Sequence, residues 1–168
     1  MDIRTFDFSD YFEEFNLNTS GYGGMWSNAT KVYDDTKLPS GNSDYNFIDG
    51  IVITAKKPLI GKICIPNELN GKKVIGIARN ASITTYEIAM NNPQYNELTH
   101  LFFLEDSECR FIFTSCFAKC TKLKCVALPK SLRVIGAGAF ENCNSIDISL
   151  PQTNLFPSNL LLIGQNAF

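Results

Sequence analysis

Three features are scarce in this chain, and each scarcity excludes a class of protein. The 168 residues include one histidine, His100, so catalysis or metal binding by several histidines is excluded. No run of about 18 apolar residues occurs, which argues against a membrane-spanning helix. Fifteen basic and seventeen acidic residues leave a net charge of −2, which argues against a broad nucleic-acid-binding surface.

The composition is nevertheless that of a folded domain. Apolar residues make up 45% of the chain and charged residues 19%, which is too apolar for a disordered polypeptide. The first four residues lead into acidic and aromatic residues, without the basic and then apolar layout of a secretory signal. We therefore expect cytoplasmic synthesis.

Charge is distributed unevenly along the chain. Residues 1–45 carry a net charge of −5, whereas residues 46–168 carry +3. A turn-rich stretch of serine, glycine and asparagine at 40–43 lies close to this change. We therefore divide the chain into an N-terminal arm, residues 1–44, and a body, residues 45–168.

The body contains an internal repeat. The interval from Phe117 to Phe140 is the same as that from Cys120 to Cys143, and the interval from Phe140 to Phe168 is slightly longer. A period of about 20–29 residues, with apolar residues at fixed offsets, is typical of a solenoid. Stacking three or four such units would give a continuous core and parallel β-ladders.

Each repeat has the same predicted layout. A short alternating apolar stretch ends in proline, which has no N–H for a β-ladder, and a second β-rich stretch ends in glycine. Gly136 and Gly164 lie where the chain is expected to turn sharply. At the corners, Phe117, Phe140 and Phe168 are expected to stack as an internal ladder.

The pattern Leu/Ile-x-x-Val-x-Leu-Pro, followed by Ile-Gly-x-x-Ala-Phe-x-x-Cys, resembles the BspA-like (Treponema pallidum type) leucine-rich repeats. The resemblance covers residues 45–168 and implies a repeat solenoid, a mostly β leucine-rich-repeat array with short helical corners. It also implies a non-enzymatic surface that binds host or assembly proteins. Because the sequence stops within a repeat, we expect the array to be truncated at its C-terminal end.

The outward side chains of such an array are the predicted recognition surface. Alternation along the strands of the last two repeats makes four polar side chains face outward, and these are Lys122, Lys124, Asp147 and Ser149. Their chemistry does not specify one ligand.

Cysteine chemistry gives three open interpretations. Cys120 and Cys143 share one repeat position, which favours small buried thiols in stacked corners. Zinc binding and a disulfide remain alternatives, although the spacing of Cys116, Cys120 and Cys125 is not that of a zinc knuckle. We expect no catalytic, cofactor-binding or metal-binding residues, because nothing in the sequence forms a catalytic constellation.

The arm carries an aromatic cluster. Its spacing of i, i+3, i+4 and i+7 predicts one face of a short helix, formed by Phe8, Tyr11, Phe12 and Phe15. A helix this short is marginal alone in water, so its aromatic face must dock on something. It either caps the first repeat or inserts into a groove on another protein, and Trp26 would add to such a contact.

We interpret the chain as a non-enzymatic recognition or adhesion module that its arm tethers to a larger or symmetric assembly. One alternative is a phage or viral structural or receptor-binding protein that displays the repeats, and another is a cytosolic repeat scaffold. Protein partners are expected, without nucleic acid, cofactor or membrane span. The expected location is a virion or cell surface, reached after cytoplasmic synthesis.

Overall fold

A computed structural model describes residues 7–15, 50–79 and 94–168. These residues form ten β-strands and a single turn of 3₁₀ helix at Phe8–Asp10. In chain order the strands are β1 Phe12–Glu14, β2 Ile51–Ala55, β3 Ile60–Ile65, β4 Glu68–Leu69, β5 Lys72–Ile77, β6 Glu97–Phe103, β7 Phe111–Ile112, β8 Cys125–Val126, β9 Val134–Ile135 and β10 Leu162–Ile163.

The first sheet has the order β1-β2-β5-β7-β9-β10, and β4 pairs with β5. The pairings of β1 and β4 are antiparallel, and all other neighbours in this sheet run parallel. Parallel in-register pairing places equivalent residues of successive repeats side by side. The inward row is a ladder of β-branched side chains, which suit a buried strand: Ile53, Ile77, Ile112 and Ile135. Ile163 continues the row on β10 but is 44% exposed.

The opposite face of the first sheet is apolar as well. Val52, Phe111 and Val134 lie in one row there and are buried. Gly76 occupies the gap in this row, because a Cβ at that position would approach the Phe113 ring to 3.0 Å. The first sheet is therefore buried on both sides, as parallel sheets usually are.

The second sheet consists of β3, β6 and β8, all parallel. Its inward row is Ile63, Leu101 and Val126, and these side chains pack into the same core as the isoleucine ladder. Its other face carries polar side chains. The second sheet is therefore apolar on one side only.

The expected phenylalanine ladder is confirmed. The ring centroids of Phe117 and Phe140 are 5.3 Å apart, and those of Phe140 and Phe168 are 5.4 Å apart, with nearly parallel planes. Tyr95 extends the stack, with its centroid 4.9 Å from that of Phe117. The buried Tyr95 hydroxyl accepts one backbone hydrogen bond (3.0 Å) and donates another (2.8 Å), which compensates its loss of water.

The corners are turns, and the expected short helical corners are not formed. Each corner contains residues with left-handed backbone (φ between 53° and 62°), which interrupt a right-handed helix. These residues are Ser115, Lys119, Gly138, Asn142 and Asn166.

The glycines expected at the sharp turns, Gly136 and Gly164, do not have the left-handed backbone that would require glycine there. Among the described glycines of the last three repeats, only Gly138 has a positive φ. Gly164 is instead required by close packing, because a Cβ there would come within 3.0 Å of the backbone of Gly136 and Ala137. Its role is to let two repeats approach each other.

The helix predicted from the arm aromatics is also replaced by another structure. After the 3₁₀ turn the chain forms β1, which pairs with β2. Phe12 enters the inner core, whereas Phe15 packs on the outer face of the first sheet. Residues three apart lie on one face of a helix but on opposite faces of a strand. Because both faces of this sheet are apolar, the same aromatic spacing suits a strand.

Candidate functional site

A group of basic and aromatic side chains lies on the outward face of the second sheet. Lys62 on β3 is in register with His100 on β6, and Lys124 immediately precedes β8. The register partner of His100 on β8 is the buried Cys125, and Lys124 precedes that residue. The charges of both lysines act on the His100 ring. Phe102 follows on the same face of β6, with its ring centroid 5.9 Å from that of His100. We call Lys62, His100, Phe102 and Lys124 the basic face.

The electrostatics of the basic face are set by its like charges. Desolvation of the ring and the positive charges of Lys62 and Lys124 lower the pKa of His100 below its ordinary value. The His100 Nδ1 atom lies 2.9 Å from the Thr99 hydroxyl oxygen, which fixes the ring orientation. In the described part of the chain, neither Lys62 nor Lys124 forms an ion pair.

The predicted outward residues Lys122 and Lys124 are both exposed, but only Lys124 joins the basic face. The Lys122 ammonium lies 2.6 Å from the Glu97 carboxylate, and both side chains are about half exposed. An ion pair this exposed contributes little stability, yet it cancels the charge of Lys122.

Asp147 and Ser149, the other predicted outward residues, are also exposed and lie on the next repeat. The Asp147 N–H donates to the Lys124 carbonyl (2.8 Å), which places this segment beside the basic face. The Asp147 carboxylate accepts hydrogen bonds from the Ser149 hydroxyl (2.6 Å) and N–H (2.9 Å). These bonds lower the pKa of the Asp147 carboxyl.

Lys62, His100 and Phe102 were missed by sequence reasoning. Strands β3 and β6 pair in a register that joins Ile63 to Leu101. These two residues are much further apart in the sequence than one repeat period, so the period does not predict that their strands are neighbours. The alternation of apolar with polar or aromatic residues in β3 and β6 was the available signal.

The arm aromatics lie against the body of their own chain. Phe12 and Phe15 are 1% and 7% exposed, and Phe8 and Tyr11 are half-buried against the core. This is the geometry of the capping alternative, and it leaves Phe12 and Phe15 no surface for a partner in this conformation. Partner binding by the arm stays a prediction. Trp26 and the boundary between residues 44 and 45 lie outside the described residues.

The six cysteines all lie within the described residues and form no disulfide with one another there. Cys109, Cys116, Cys120 and Cys125 are buried, and burial raises the pKa of Cys109 to about 12. Across residues 7–15, 50–79 and 94–168, no three His, Cys, Asp or Glu side chains come together as a metal site. In the same residues, no helix is long and apolar enough to cross a membrane.

Residues 87–168 match the family described as "BspA type Leucine rich repeat region (6 copies)". The resemblance predicted from the sequence is therefore confirmed for these residues, which make up just under half of the chain. Leucine-rich repeats of this kind are protein-recognition modules, as their exposed sheet side chains allow. No curated protein matches the chain.

Two solved leucine-rich-repeat structures are similar to this chain. The Treponema pallidum leucine-rich repeat protein is 29% identical, with a TM-score of 0.53 over 70% of this chain and 47% of that one. A leucine-rich repeat protein from Eubacterium ventriosum is 22% identical, with a TM-score of 0.37 over 67% of this chain and 30% of that one. The chain thus spans about half or less of these proteins.

Proposed function

We propose that this chain recognises a protein partner through the basic face. The observation that carries the proposal is the position of two exposed lysines, neither of which forms an ion pair within the described residues, near a half-buried histidine on one sheet face. The expected partner surface carries carboxylates, with an apolar group for the Phe102 ring.

Charge supports this choice of partner. The two ammonium groups repel each other and the protonated form of His100, and neither lysine forms an ion pair with an acidic side chain of the described residues. A partner carboxylate placed over His100 would lie near both lysines and relieve the repulsion. Such complementarity mainly raises specificity and the association rate.

The fold supports this choice of face. The first sheet is apolar on both sides, so its side chains serve packing. The second sheet holds its inward row in the core, and on its other side Lys62 and Lys124 are exposed while His100 and Phe102 are half-buried. The basic face therefore has a rigid backbone whose outward side chains are available for contacts. BspA-type repeats are often surface-associated, and we propose display at a cell or virion surface for this face also.

Site-specific photo-crosslinking tests the proposal. A benzophenone amino acid at Phe102 is irradiated in an extract of the source organism, and the captured protein is then produced and titrated. The variant Lys62→Glu/Lys124→Glu reverses the charge of two residues of the basic face. The control variant, Lys56→Glu/Lys130→Glu, makes the same charge change at two exposed lysines outside this face. We expect the face variant to weaken binding at least about tenfold, and the control to keep wild-type affinity in low salt.

Equal weakening by both variants would show a non-specific charge effect and contradict the proposal. Binding that is insensitive to salt would also contradict it, because exposed charges are screened.

A further inference from the structure

Cys120 and Cys143 lie at equivalent corners of adjacent repeats. Backbone hydrogen bonds from Phe117 N–H to the Ala139 carbonyl and from Lys119 N–H to the Glu141 carbonyl, both 2.7 Å, fix the register. Stacked backbones are about 4.8 Å apart, and disulfides join Cα atoms about 4.4–6.8 Å apart. The two cysteines are therefore within bridging reach without a large backbone movement.

The two thiols already contact each other. Cys120 and Cys143 hydrogen-bond through their side chains, and the Cys143 Sγ also donates to the Phe117 carbonyl (3.0 Å). The hydrogen bond from Cys120 lowers the pKa of Cys143, while the same contact and burial raise the pKa of Cys120. Cys143 is consequently the thiol that ionises first.

Access also distinguishes the two thiols. Cys143 is half-buried and lines a surface cleft of about 670 Å³, whereas Cys120 is fully buried. Phe140 and Ile146 form part of the cleft wall. A small reagent can therefore reach Cys143 but not Cys120.

We propose that Cys143 and Cys120 form a redox-active dithiol that a small disulfide oxidises to a disulfide between repeats. The Cys143 thiolate attacks one sulfur of the small disulfide, and the bond between the reagent's two sulfurs breaks to release one thiolate. Cys120 then loses its proton and attacks the Cys143 Sγ, which expels the second thiolate. The two protons lost by the cysteines end on the two released thiols, and two electrons pass to the reagent.

The experiment uses the full chain, folded and without denaturant, with oxidised glutathione at pH 8. The exchange is then quenched with acid, and the protein is unfolded in denaturant with an alkylating agent so that buried thiols also react. Digestion and mass spectrometry identify bridged peptides. We expect a peptide pair joined through Cys120 and Cys143, with the other four thiols alkylated.

Three variants separate the steps. In the Cys120→Ser variant the reaction should end at the mixed disulfide between glutathione and Cys143. In the Cys143→Ser variant Cys120 should remain unreacted. The control Cys64→Ser removes another half-buried thiol and should still form the bridge.

Three results with the wild-type protein would overturn the proposal. They are two unreacted thiols at Cys120 and Cys143, a mixed disulfide with glutathione as the final product, and a disulfide between a different pair of cysteines. The wild-type measurement decides this alone if a serine variant does not fold. The recognition function is tested separately, since the crosslinking experiment uses reduced protein.

Discussion

His100 is the only histidine of the chain and lies near two lysines, Lys62 and Lys124. Its ring is therefore a single reporter of the charge on the basic face. The folded state keeps the imidazole neutral to lower pH than the unfolded chain does. The corresponding stability is present above the unfolded pKa of about 6.5 and is lost as the pH falls through the folded value.

We expect the NMR titration of His100 to have a midpoint below 6.5. Lys62→Gln should move the midpoint upward, because it removes one of the two nearby positive charges. Lys130→Gln, which removes a charge from another exposed lysine, should leave it unchanged. A midpoint at or above 6.5 in the wild type would contradict the described face.

Phe140 is buried between two parallel rings, those of Phe117 and Phe168. Phe140→Ala leaves a cavity in the ladder and should lower the free energy of unfolding by about 3–5 kcal/mol, measured by urea denaturation. Phe168→Ala is the comparison, and its smaller expected cost follows from a side chain that is 45% exposed. Near-neutral stability of Phe140→Ala would reject the ladder as a stabilising unit.

Strand β1 covers the edge of β2. Its Phe12 and the following Phe15 contribute aromatic side chains to two different apolar layers. The Glu14 carboxylate also lies 2.8 Å from the Lys72 ammonium on β5. An uncovered β2 would expose unpaired backbone groups, which invite pairing with another chain. This position of β1 is the one that a cap on the first repeat would occupy.

Changing Phe12 and Phe15 together to Ser should lower the midpoint of thermal unfolding of the whole domain, because both side chains leave the core. Glu13→Ser changes an exposed residue of the same strand and should have almost no effect. Circular dichroism follows both transitions. An unchanged midpoint in the double variant would instead favour the arm as an anchor for a partner.

Predictions from the sequence were most successful in the part of the chain where residues recur at the repeat period. The equal spacing of Phe117, Phe140 and their flanking cysteines predicted the stacked rings and the repeat family in that part of the chain. Sequence reasoning failed for the arm, because the aromatic spacing suits both a helix face and a strand with two apolar sides. It also missed His100, since the pairing of β3 with β6 depends on a long connection that propensity does not encode.

At the scale of the whole molecule, the last repeat presents an apolar patch. Ile148 and Phe156 are 80% and 63% exposed, and Phe156 contacts Phe168 with ring centroids 5.6 Å apart. Large clustered apolar surfaces mark contact sites or cause self-association. The patch therefore affects how the protein behaves at high concentration.

We expect the purified chain to self-associate, with a light-scattering mass that rises with concentration. Ile148→Ser/Phe156→Ser should return the mass toward that of a monomer. Ile60→Ser is the matched control, because this isoleucine is 71% exposed but does not line the cleft beside the patch. A wild-type protein that is monomeric at all concentrations would show that the patch does not cause self-association.

The difference between the two sheets has an evolutionary consequence. The buried side chains of the first sheet pack into two apolar layers, so substitutions at those positions disturb packing. Residues 62, 100, 102 and 124 belong to the outer layer of the second sheet, and they can change without touching the inner row. Binding specificity can therefore drift, or be selected from a library at these four positions, while the scaffold stays constant.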